Sequence, residues 1–106
     1  FNQAEFGGVG LETLLSLSLN LVKNKYVSVE KLLRLLTVNP AKILNLDYGM
    51  INEQSEADIS VFDLSKSWKI NPESFFGKSK NSPFDGLLVE GKNIMTFVRG
   101  RLVYRL

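Results

Sequence analysis

The stretch Ala4-Glu5-Phe6-Gly7-Gly8-Val9-Gly10-Leu11-Glu12-Thr13 sets three glycines immediately before the most apolar helical segment of the chain. Glycines at 7, 8 and 10 permit backbone angles closed to other residues and let main chain approach a ligand closely. A helix opening at about Leu11 would turn its first N–H groups back into this turn, where an anion or a carboxylate can meet them. The same residues also make an ordinary loop entering a helix, and residue types alone favour that reading. The turn is not a phosphate loop, because no Gly-Lys-Ser/Thr follows. It is not the dinucleotide fingerprint either, since Thr13 occupies the third glycine position.

Other residues able to do chemistry are dispersed. Glu12 sits in the first turn of the expected helix, where the dipole stabilises a carboxylate, so it reads as a cap. Asp58 and Asp63 flank a strand and read as strand-end or turn residues. Lys78, Lys80 and Arg99 are cations that could bind an anion but are more simply isolated surface charges. Trp68 and the phenylalanines read as core rather than as a platform for bases.

The totals exclude more than they suggest. The 106 residues allow one domain at most, with 44% hydrophobic and 23% charged residues. A net charge of +2, with the basic residues scattered, gives no reason to expect nucleic acid or membrane as a partner. No apolar run approaches the roughly 20 residues that span a bilayer. The opening residues lack the basic-then-apolar order of a secretory signal, and a cytoplasmic location is expected. There is no cysteine and no histidine. Ser-His and Cys-His catalysis and every histidine or thiolate metal site are thereby excluded within this chain.

The elements that must position these residues change period midway. Leu11 to about Lys23 is expected as a helix, with Glu12, Thr13, Ser16, Asn20 and Lys23 on one stripe and leucines over the rest. Leu19 interrupts the polar stripe. A second helix is expected after Ser28 as N-cap, with Glu30 in its first turn and Leu32, Leu33, Leu35 and Leu36 on its apolar face. Asn39-Pro40 reads as a third start, Asn capping and Pro at the first helical position. Beyond Leu46, Gly49 marks a turn. Ile59–Leu64 reads as a strand and Ser67–Ile70 as a further short one, ended by Asn71-Pro72. Residues 75–86 read as a loop anchored by Phe75, Phe76 and Phe84. Leu87–Glu90 and Ile94–Val98 follow as antiparallel strands, and an Arg99-Gly100 turn leads into Leu102–Tyr104. Helices first and strands second give an α+β arrangement, or two structural regions of a larger protein.

Several of these segments together resemble the C-terminal part of dihydroorotases, which are cyclic amidases of the amidohydrolase superfamily. Phe6-Gly7-Gly8-Val9-Gly10-Leu11-Glu12-Thr13 is similar to the family's segment ending in Gly-Leu-Glu-Thr, and Asn39-Pro40-Ala41-Lys42-Ile43-Leu44 to its Asn-Pro-Ala helix start. Gly49, Ile51, Ala57 and Asp58 match the superfamily spacing Gly-x-Ile-x-x-Gly-x-x-Ala-Asp. Ser79-Lys80-Asn81-Ser82-Pro83-Phe84-Asp85-Gly86 resembles the Ser-Lys…Asn-Thr-Pro-Phe-x-Gly loop. The Ala-Asp strand is shared with allantoinases and hydantoinases; the glycine segment narrows the match to dihydroorotase. Gln54 replaces an expected glycine, so another turn geometry is expected there.

The resemblance implies a two-part fold. Residues 1–46 would be the last outer helices of a (β/α)8 barrel, with the substrate loop at their start. Residues 47–106 would be strands of the adjoining small β-sandwich. The family's reaction is reversible hydrolysis of dihydroorotate to N-carbamoyl-L-aspartate in pyrimidine biosynthesis, with zinc activating water. Its ligands, a His-x-His pair, two further histidines and an aspartate that is also the base, would lie upstream of Phe1. By resemblance, Phe6 and Gly7 contact substrate through the main chain and Gly8 neighbours them, while Glu12 and Thr13 are structural. The absence of an initiator methionine and of those ligands leads to the expectation of a fragment, inactive without the rest of its barrel and exposing leucines, Leu19 among them, that face the missing elements. The expected partners are that barrel portion, dihydroorotate or N-carbamoyl-L-aspartate, and a second copy or aspartate transcarbamoylase. A non-catalytic dihydroorotase-like partner of that transcarbamoylase, or a piece of another cyclic amidase, remains the alternative.

Overall fold

The computed structural model describes Ala4 and residues 6–106, so Phe1 to Gln3 and Glu5 of the opening stretch lie outside the described residues. Within them, α1 (Leu14–Lys23), α2 (Val29–Leu36) and α3 (Val38–Ile43) precede β1 (Ile59–Lys69), β2 (Leu88–Val98) and β3 (Arg101–Arg105). The strands form one antiparallel sheet in the order β1-β2-β3. The α+β order expected from the sequence is the one observed.

The first helix starts three residues later than expected, because Gly10 ends the turn with a bond of its own. Its carbonyl accepts from the Thr13 and Leu14 amides at 3.2 and 2.9 Å, and from the Thr13 hydroxyl at 3.3 Å. Two N–H groups expected to greet a ligand are therefore already used. At α2 the cap is as expected: Ser28 Oγ accepts from the Lys31 amide at 3.1 Å. At α3 the cap moves from Asn39 to Thr37, whose carbonyl accepts from the Ala41 amide. Pro40 then falls within the first helical turn, where its missing N–H has no partner to lose.

The α1 helix turns polar as well as apolar side chains to the sheet. Two residues of the expected polar stripe are buried: Thr13, just ahead of the helix, is 0% exposed and Ser16 is 3%. The Ser16 hydroxyl donates to the Gly91 carbonyl at 2.5 Å. Trp68 Nε1 donates to the same carbonyl at 2.9 Å and to Ser16 Oγ at 3.2 Å. Lys23 extends the seam with an exposed ion pair to Glu90 at 3.3 Å. Of the leucines, Leu17 packs on the core of Ile70, Phe75 and Val89, whereas Leu14 and Leu21 are 53% and 43% exposed. Leu19 does not face outward as expected. It lies over Gly91 of β2, where a Cβ would collide with its Cδ1.

Gly91 also explains why each long strand reads as two. Asp63 pairs with Lys92 and Ser67 with Glu90, so Leu64, Ser65 and Lys66 oppose Gly91 alone. Asp63 Oδ1 closes this protrusion by accepting from the Ser65 hydroxyl at 2.7 Å and amide at 2.9 Å. Those two bonds, the hydroxyl first, hold the Asp63 carboxyl below its ordinary pKa. Pairing resumes on both sides, and the strands are continuous through the irregularity. The β2–β3 hairpin turns at Arg99 and Gly100, with φ of 48° and 74°. Asp58 fastens the hairpin by accepting from the Arg99 amide at 2.7 Å, the turn role expected of it.

Candidate functional site

The glycine turn sits on the loop between β1 and β2. Val9 is its inward anchor, packed against the Ile70-Phe75-Val89 core. The Val9 amide donates to the Asn81 carbonyl at 2.8 Å, and Asn81 Nδ2 donates to the Gly7 carbonyl at 2.5 Å. Gly8, between them, lies so close to Pro83 that an added Cβ would sit 3.0 Å from the ring Cδ. Only a residue without a side chain makes that approach freely.

Phe6, Gly7 and Gly8 are all exposed, Phe6 completely so. Gly7 adopts φ 74°, and nothing lies within 4 Å of where its Cβ would be. The outer side of the turn is thus open and its inner side is held. Glu12 is not a helix cap. Its carboxylate reaches across to the same loop, accepting from the Phe76 amide at 2.8 Å and the Gly77 amide at 3.3 Å. Lys80, one of the candidate cations, is committed there too, donating to the Phe75 carbonyl at 2.6 Å. Phe75 is a buried anchor as expected, but Phe76 is 84% exposed, its ring standing edge-on to Tyr104 at 6.1 Å.

A hollow of about 1220 Å³ opens between the α2 end and the start of β1, lined by Leu33, Thr37, Tyr48, Ile51 and Phe62 among others. No residue of the glycine turn borders it. Among the described residues no three Asp or Glu side chains converge as metal ligands, and the chain has no histidine or cysteine. The described residues do not fit zinc. What the arrangement offers is peptide N–H and C=O groups on a braced, open turn, suited to orienting a polar ligand enclosed by other residues.

The chain belongs to the amidohydrolase family, whose model matches residues 6–103. It is 44% identical over 105 residues to a dihydroorotase of Syntrophus aciditrophicus strain SB, covering 99% of this chain and 25% of that protein. It is 49% identical over 100 residues to a dihydroorotase of Anaplasma phagocytophilum strain HZ, covering 94% and 22%. Among solved structures, an L-hydantoinase (dihydropyrimidinase) from Arthrobacter aurescens superposes with a TM-score of 0.87 at 35% identity, covering 96% of this chain and 23% of that one. The chain spans about a quarter of the length of the curated relatives it matches.

Proposed function

We propose that this chain is the C-terminal part of a dihydroorotase, a zinc-dependent cyclic amidohydrolase that interconverts dihydroorotate and N-carbamoyl-L-aspartate. Residues 1–46 would end the barrel and 47–106 would contribute to the small sandwich beside it. The observation that carries the reading is the braced glycine turn, its open side formed by Phe6 and Gly7, in a chain 44% identical over nearly its whole length to a dihydroorotase. Dihydroorotate offers a carboxylate and ring amides, which peptide N–H and C=O groups complement. The exposed Leu14 and Leu21 on α1 support a chain that packs against further protein.

The role of these residues is binding and orientation. Zinc, when bound by the whole protein, would supply an activated water; its ligands are outside these residues. Main-chain groups at Phe6 and Gly7 would hold one edge of the ring so that the scissile amide is presented at a fixed angle. Contacts of this kind supply binding energy, shared by substrate and transition state, without any side chain of the turn reacting.

The test is substrate preference of the full-length protein across dihydroorotate, hydantoin, dihydrouracil and allantoin. Dihydroorotate is expected to give the highest kcat/KM, and the 106-residue chain alone is expected to give no turnover. A higher kcat/KM for hydantoin or dihydrouracil would overturn the substrate assignment.

A further inference from the structure

Asn81 grips the glycine turn twice. Its side-chain amide donates to the Gly7 carbonyl and its main-chain carbonyl accepts from the Val9 amide, so both flanks of Gly8 are tied to one residue 74 positions from Gly7. Pro83, two residues on, closes against Gly8 from the same side. The loop that carries them is itself held, by Glu12 on the Phe76 and Gly77 amides and by Lys80 on the Phe75 carbonyl.

The Gly7–Gly8 peptide is trans, and in a trans peptide the carbonyl and the amide point in opposite directions. A donor fixed on the Gly7 carbonyl therefore also aims the Gly8 N–H, away from Asn81. With two neighbouring glycines, and Gly7 at φ 74°, this peptide plane has little side-chain bulk to restrain it. The Asn81 amide supplies the restraint.

We infer that Asn81 is a positioning residue, fixing the Gly7–Gly8 peptide so that the Gly8 N–H donates to an acceptor oxygen of the substrate. This rests on the proposal above that the turn meets dihydroorotate through its main chain. The Gly8 contact is made in the ground state as well as the transition state, so its loss weakens binding more than turnover.

The experiment is steady-state kinetics on full-length Asn81→Ala, which removes the donor, adds no charge and keeps the main-chain bond to Val9. The expected result is a rise of about tenfold in KM for dihydroorotate with kcat within about threefold, the effect of one hydrogen bond. Asn81→Leu, similar in size and equally without a donor, gives the same split should the alanine variant fold poorly. An unchanged KM, with only the melting temperature or kcat lowered, overturns the inference and leaves Asn81 a structural residue. Gly7→Ala separates the two levels. If it leaves KM unchanged, the turn does not hold substrate and the underlying proposal falls. If it raises KM while both Asn81 variants do not, the positioning inference alone falls.

Discussion

Gly91 and Gln54 share a left-handed backbone, φ 90° and 68°, in opposite surroundings. Gly91 lies in the seam between α1 and β2, with Leu19 above it and its carbonyl taken by both Ser16 and Trp68. Gln54 lies in the connection from α3 to β1, where residues 42–56 are all exposed. The backbone angle alone disfavours any side chain at both, by roughly 1–2 kcal/mol. Only at Gly91 is there also no space for one. The seam is thus where sequence is dictated by packing, and it supports the candidate site indirectly: Thr13, buried just ahead of the seam, and Val9, packed in the core beside it, anchor the glycine turn.

The largest effect is expected at the seam. Gly91→Ala adds a Cβ into the Leu19 side chain and keeps the unfavourable φ, so a loss of about 2–3 kcal/mol is expected. Urea denaturation of the full-length protein measures it. Adding Leu19→Ala to that variant removes the collision but not the strained angle, so the double variant should be less destabilised than the two single losses added together. Simple additivity would show that Leu19 and Gly91 are not in contact.

A smaller loss is expected from Ser16→Ala. The hydroxyl is buried and bridges the Gly91 carbonyl and the Trp68 indole, yet the indole keeps its own bond to that carbonyl after truncation. With no buried acceptor left orphaned, about 1 kcal/mol is expected in the same denaturation assay. A loss above about 3 kcal/mol would mean that Trp68 cannot hold Gly91 alone, and that the hydroxyl is the main tie between α1 and the sheet.

Element types were legible in the sequence, because period and caps are local. Ser28 declares α2, and Arg99-Gly100 declares the hairpin. What escaped depended on contacts distant in the chain. Gly91 reads as a break between strands, and only its partner across the sheet shows that β2 runs through it. Leu19 reads as an outward leucine until Gly91 is beneath it. Glu12 reads as a helix cap because nothing local says that the Phe76 and Gly77 amides lie within its reach. The candidate site was legible only as a glycine pattern and a resemblance. Its brace, Asn81, stands in a motif recognisable by its wording, but the side-chain bond to Gly7 spans most of the chain.

Gln54 offers the smallest effect and the opposite sign. Its replacement of a glycine in the Gly-x-Ile-x-x-Gly-x-x-Ala-Asp spacing suggested a different turn, yet at φ 68° it keeps the left-handed conformation that a glycine would adopt. Gln54→Gly relieves that strain, roughly 1–2 kcal/mol, against an added unfolded-state entropy of about 0.5–1 kcal/mol. A net stabilisation of about 0.5–1 kcal/mol is expected by urea denaturation, with kcat/KM unchanged because the hollow that Gln54 lines is bordered by no residue of the glycine turn. Destabilisation would show that the glutamine side chain contributes a contact worth more than the strain it imposes. Stabilisation would show that the same backbone angle is a removable cost in the open connection and a fixed requirement beneath Leu19.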